Sequence, residues 1–370
     1  MYRPLDPNLF LRVMREPVRL KGLSDGDVDQ IVRFARRANL LANLAARVQA
    51  RTRKPDDLAD VFEGAAMYAK EHARRIRWEM TELAPLVERL GFPVLVLKGG
   101  AYLQMDLESA AGRLVSDLDL LVPHASLYEM ESAMLSSAYS SQKQDDYDQH
   151  YYREWMHELP PMVHIARGTT VDLHHNIAPP VSRLKIDAAK LIERAVPLEN
   201  APPFMRLGDE DLVLHLCVHM FHDGELDNAL RELFDLDALL RRFGADEAFW
   251  GRLMERAGEL GVKRPLYFGT TFAARELGTP VPEEISRRLE EHAPNRMTRA
   301  LTEYTMWLSI LPDLGERPSI RRALSQQLLF IRAHWLRMPT GMLIKHLWTQ
   351  ARRRGGLKKA EQVGRSLGDV

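Results

Sequence analysis

The chain has little cysteine, no long apolar run and no excess of either charge, and each shortage removes a class of protein. The single cysteine, Cys217, rules out an intramolecular disulfide and points to a reducing, cytoplasmic setting. Lys plus Arg and Asp plus Glu each total 51 in 370 residues. With the charges balanced, a long nucleic acid or an acidic membrane surface is not an expected partner. No stretch approaches the roughly 18 uncharged apolar residues that a membrane-spanning helix needs. The opening MYRPLDPNLFLRVMREP is broken by charges and prolines and lacks the apolar core of a signal peptide. A G-x-x-x-x-G-K-[ST] loop, a G-x-S-x-G elbow, an internal repeat and a low-complexity tract are all missing.

What remains is a chain with 45% hydrophobic residues, enough for a large core. Residues 8–90 place apolar residues at helical spacing between Arg and Glu, as in VDQIVRFARRANLLANLAARV, with TRKPDD at 52–57 as a connection. Gly91 and Pro93 close the last of these helices. Between 93 and 176 the texture changes. PVLVLK, DLDLLVP, MVHIAR and TTVDLHH read as strands, and AYLQMDL and SLYEMESAMLSSA as helices between them. After about 180 the helical pattern returns, and the basic end ARRRGGLKKAEQVGRSLGDV reads as a mobile tail. The expected divisions are a helical region over 1–90, an α/β core over 91–200, a helical domain over 201–350 and a tail over 351–370.

Three acidic positions carry chemistry. Residues two apart on a strand share a face, so in SDLDLLV Asp117 and Asp119 point one way while Leu118 and Leu120 point into the core. Paired carboxylates repel each other unless a cation shares them, and a hard divalent ion such as Mg2+ meets that need. An edge strand with a solvated acidic face has the same letters. In TVDLHH, Asp172 and His174 share a face in the same way, and Asp172 would add a third carboxylate. A polar strand face with a structural histidine is the competing reading. LKGG precedes both strands. A Gly-Gly pair there implies close approach to the backbone, either by a phosphate or by neighbouring chain.

The ordered set of LKGG, Arg113 with SDLDLLV, VDLHH and the later DLVLHLCVHMFH resembles the DNA polymerase beta-like nucleotidyltransferase superfamily. Within it, the set is most similar to the bacterial group of uncharacterised nucleotidyltransferases, over roughly 90 to 245. The resemblance implies an α+β fold, a small mixed β-sheet nucleotidyltransferase core with helical N-terminal and C-terminal segments. It implies Asp117, Asp119 and Asp172 as catalytic, metal-binding residues for Mg2+ or Mn2+. Gly99 and Gly100 would cradle the triphosphate of an NTP, with ATP the expected donor. Lys98, Arg113, Ser116 and His174 would be phosphate or local structural partners. Ser116 stands where the family often has glycine, and the Gly100-to-Asp117 spacer is longer than the minimal pattern. The activity implied is transfer of an NMP from an NTP to a hydroxyl of an acceptor, with release of pyrophosphate. The acceptor would be a small molecule, a peptide or a protein. Kinase-like phosphoryl transfer and a non-catalytic nucleotide-binding regulatory module are the alternatives on the same fold.

Other clusters read as structure first. His215, His219 and His222 fall at i, i+4 and i+7 on one helix face, where they either pack within the core or approach the site. His150, His157 and His164 lie in a region that can line the same cleft. Asp235 and Asp237 in LFDLDALL sit on a helix, diverge by about 200° and cannot act as a pair. Asp235 is expected to be a packing partner. Lys345, Arg352, Arg353, Arg354, Lys358 and Lys359, near Trp335 and Trp348, read as a solvated end rather than a binding patch.

Overall fold

The helical periodicity at the start of the chain produces four helices, Pro7–Arg15, Asp25–Arg37, Leu41–Arg51 and Ala59–Leu90. Ser24 caps the second by accepting from the Asp27 N–H. The fourth ends at Gly91, whose φ of +73° supplies the left-handed turn that L side chains resist. The computed structural model describes residues 6–51, 58–142, 146–223, 228–312 and 319–344. The expected connection at 52–57, the basic tail, Lys345 and Trp348 lie outside the described residues.

The middle of the chain builds one mixed sheet. Its strands are β1 (Leu95–Val96), β2 (Asp117–Leu121), β3 (Tyr139–Ser141), β4 (Met162–His164), β5 (Thr170–His174), β6 (Val196–Pro197) and β7 (Met205–Arg206). They lie in the order β3-β4-β5-β2-β1-β7-β6. β2 runs parallel to β5 and antiparallel to β1, so the fold is the expected α+β arrangement. The short strands β6 and β7 fall after residue 180, where the sequence pattern shows only helices. Two-residue strands, one containing Pro197, carry no period to read.

Two side-chain networks pin helices to this sheet. Glu79, fully buried on the Ala59–Leu90 helix, accepts from Arg167 at 2.7 and 2.8 Å and from the Tyr139 hydroxyl. This ties the long helix to β3 and to the β4–β5 turn. On the other side, Arg113, just ahead of β2, pairs with Asp235 of the Ala229–Phe243 helix at 2.9 Å, both fully buried. One contiguous apolar core runs from Phe10 through β1, β2 and β5 to Leu329. It includes residues on both sides of positions 90 and 200. Among the described residues no helix is long and apolar enough to cross a membrane.

Candidate active site

β2 and β5 are parallel neighbours, and their register pairs Asp119 with Asp172 and Asp117 with Thr170. Directly paired residues point to the same side of a sheet, and so do residues two apart. Asp117, Asp119 and Asp172 therefore share one face, with His174 two residues beyond Asp172. Leu118, Leu120, Val171 and Leu173 occupy the opposite face and are fully buried. The alternation that marks the strands is what aims the carboxylates.

Lys98 stands at the strand-to-helix break. It opens the Lys98–Gln104 helix with φ at +43°, a conformation costly for a non-glycine residue. The break thus falls on the lysine, and the glycines sit inside the first helical turn. A Cβ on Gly99 would lie 2.5 Å from Nη1 of Arg113, and one on Gly100 would lie 2.7 Å from Cγ1 of Val96. Where the two glycines lack a Cβ, side chains pack closely instead, Arg113 at Gly99 and Val96 at Gly100. The lysine ammonium donates to Oδ1 of Asp119 at 3.1 Å.

The three carboxylates differ in charge preference because their surroundings differ. Burial works to raise Asp119, but the Lys98 charge and a hydrogen bond from His174 hold its carboxyl well below the usual carboxylate range. Burial and then the Asp119 charge push Asp117 up. The exposed Ser116 hydroxyl, hydrogen bonded to Asp117, opposes that rise. The same two causes, burial and Asp119, push Asp172 up to about 7. Its Oδ1 is buried with no hydrogen-bond partner. An orphaned carboxylate oxygen beside two further carboxylates is a donor set of hard oxygens, which fits a divalent ion of the Mg2+ or Mn2+ type.

His174, 2% exposed, holds Oδ1 of Asp119 with Nε2 at 3.0 Å, while its Nδ1 lies 3.4 Å from Oε2 of Glu158. Burial works to lower His174, yet the Asp119 hydrogen bond and the Glu158 charge outweigh it and raise the imidazole. The Asp209–Val218 helix approaches the same place. Burial and the Lys98 charge drive His215 down to about 3, and the same two causes hold His219 well below the usual histidine range. Both rings are therefore neutral.

The expected single face of three histidines is only partly realised. The α-helix stops at Val218, and His219–Asp223 form a π-turn that adds a residue per turn. His215 and His219 remain near Lys98, whereas His222 turns away and meets the Ser182 hydroxyl at 2.8 Å. His157 stacks near His174 with ring centroids 5.4 Å apart, but His150 packs on Trp155 and His164 on Tyr139. Arg113 meets Oδ2 of Asp235 with Nε at 3.0 Å and Nη2 at 2.9 Å, and Asp235 is the residue read from the sequence as a packing partner.

Three residues around the carboxylates and Lys98 carried no signal in the sequence. Glu158 arrives by a bridge to His174 at the end of β5. Arg231 donates to the Leu114 carbonyl at 3.0 Å, keeps a buried Nε with no hydrogen-bond partner, and feels the Asp117 charge. Glu232 is pushed up to about 7, by burial against the pull of Arg231 and Lys98. Only tertiary packing brings these residues in, so no local spacing marks them.

A mixed sheet presenting an Asp-x-Asp strand beside a strand with a third aspartate defines a class of group-transfer enzymes. The chain belongs to the family described as uncharacterised nucleotidyltransferase, whose model matches residues 24–278, more than half of the chain. The family makes it a transferase that uses an NTP, and members typically employ a divalent metal. No curated protein matches the chain.

Proposed function

We propose that the protein transfers a nucleoside monophosphate from an NTP, with ATP the expected donor, to a hydroxyl group of an acceptor, releasing pyrophosphate. The observation that carries this reading is the β2–β5 register, which sets Asp119 against Asp172 and keeps Asp117 on the same face. Asp117, Asp119 and Asp172 would hold Mg2+ or Mn2+, whose charge, when bound, neutralises the phosphate oxygens and the attacking oxygen.

The remaining roles belong to the chain itself. Lys98 keeps Asp119 ionised and, with Arg231, supplies positive charge for the triphosphate. Gly99 and Gly100 present backbone N–H groups to it and let their helix close onto the sheet. Asp172, whose Oδ1 has no hydrogen-bond partner, ligates the ion or accepts the proton of the attacking hydroxyl. Neutral His215 and His219 wall the site without adding to its charge. The acceptor is a small molecule, a peptide or a protein side chain, in keeping with a chain of zero net charge.

The test uses NTPs labelled at the α or the γ phosphorus, incubated with the protein, Mg2+ or Mn2+ and a cell extract. The expected result is transfer of α-label that falls at least about a hundredfold in Asp117→Ala and Asp119→Ala. Transfer of γ-label alone would make the protein a kinase. Absence of NTP binding by calorimetry with metal present would refute both enzyme readings and the regulatory one.

A further inference from the structure

The carboxylate face leaves one cluster unexplained, at the far end of β5. Hydrogen bonds from Leu159 N to Leu173 O and from His175 N to His157 O, both 2.8 Å, lock residues 157–158 against the strand end. That backbone clamp brings His157, Glu158 and His174 together, and one ligand atom from each lies within 4.8 Å of the others. Two of the groups have a ring nitrogen without a hydrogen bond, and that of His174 faces the Glu158 carboxylate at 3.4 Å. Nδ1 of His157 and Nδ1 of His174 are both buried without a hydrogen-bond partner, and buried ring nitrogens are normally satisfied.

The tautomer of His174 is set by its other nitrogen. Ionised Asp119 can only accept, so Nε2 of His174 carries the proton that it donates at 3.0 Å. With Nε2 committed to Asp119, Nδ1 is the nitrogen left for a ligand, and it lies 3.4 Å from Oε2 of Glu158. This is the arrangement of a metal-ligating histidine steadied by a carboxylate behind it. Two imidazoles and one carboxylate form a ligand set that borderline transition ions favour and Mg2+ does not. A tetrahedral zinc site has ligand atoms about 3.3 Å apart, so from a limit of 4.8 Å each group has to move by about 0.9 Å or less.

We propose that His157, Glu158 and His174 form a second cation site, selective for a zinc-type transition ion and separate from the all-oxygen site of the three aspartates. The ion takes three protein ligands and leaves one position for water. Its effect on the reaction centre runs through His174: bound at Nδ1, it fixes the ring with Nε2–H on Asp119 and so orients that carboxylate. His157 and Glu158 are positioning residues here. The site stands on its own geometry and does not depend on the nucleotidyl-transfer reading.

The experiment uses tag-free, metal-stripped full chain titrated with Co2+ in saturating Mg2+, read by visible absorption. The expected result is one equivalent of Co2+ with the intense bands of a low-coordinate nitrogen-containing site. These bands should be lost in His157→Ala and Glu158→Gln and retained in Asp117→Asn. Glu158→Gln is isosteric, and cooperative thermal unfolding of that variant verifies its fold, so it decides the matter. No such bands in the wild type would overturn the proposal. Equal binding by Glu158→Gln, or loss in Asp117→Asn with retention in Glu158→Gln, would also overturn it, since the ion would then belong elsewhere. Failure of NTP turnover leaves these spectra unaffected, so the two proposals fail separately.

Discussion

At the scale of single residues, the site is a balance of three carboxylates whose preferences are set by burial, by their mutual repulsion and by the Lys98 and His174 contacts of Asp119. Asp119 has both partners and stays ionised; Asp172 has neither hydrogen bond on Oδ1 and titrates near 7. A carboxyl whose folded pKa lies above its unfolded value binds more protons in the folded state between the two values. Stability is therefore lost as pH rises from about 4 to about 7, and the penalty is complete above that window. Metal-free Asp172→Asn is expected to be more stable than the wild type by about 1–3 kcal/mol at pH 8, with the gain vanishing near pH 4. Denaturant titrations at both pH values, without divalent ions, check this. Added Mg2+ should reverse the order by stabilising only the wild type. The glycines give a second prediction. Gly100→Ala places a methyl 2.7 Å from Val96 and 3.2 Å from Leu118, which should cost about 1–3 kcal/mol in thermal melts. The three aspartates were legible because a strand's two-residue period declares its face locally. The contact of Lys98 with Asp119 was not legible, because it depends on a φ of +43° and on a partner 21 residues away.

At the scale of elements, helices with a strong apolar stripe declared themselves, and so did the strands with alternation or a β-branched run. The misses are physical rather than accidental. Strands β6 and β7 exist because β1 offers an edge to pair with, and two residues have no period of their own. The π-turn at His219–Asp223 keeps helical composition and changes only the hydrogen-bond step, so letters alone cannot separate His222 from His215 and His219. How elements lock together was half-visible: Asp235 read as a packing partner, but not as the partner of Arg113. That pair yields a prediction. Asp235→Ala leaves a guanidinium only 5% exposed without its counter-charge, and should destabilise the protein by about 3–5 kcal/mol. The double variant Arg113→Met with Asp235→Leu removes both charges and should recover most of the loss. Urea unfolding midpoints of the three proteins measure the difference.

At the scale of the molecule, the sequence pattern suggests a nucleotidyltransferase core that ends near residue 200, whereas the contacts tie that core to both flanks. Arg113 reaches forward to the Ala229–Phe243 helix, Glu79 of the Ala59–Leu90 helix reaches Arg167 and Tyr139, and the apolar core passes through all three regions without a break. A fragment spanning 91–200 would expose the buried halves of both ion-pair networks. It would also expose the apolar faces of β1 and of the Lys98–Gln104 helix, which the flanking helices cover. Burial of apolar surface supplies most of the stability of a domain, so a piece cut through its core should not hold its shape. The 91–200 fragment is therefore expected to show no cooperative thermal transition and to bind a hydrophobic dye, while the full chain melts in a single transition. Circular dichroism and dye fluorescence on both proteins test this, and a cooperative melt of the fragment would show that strands β1 to β6 fold independently of the flanking helices.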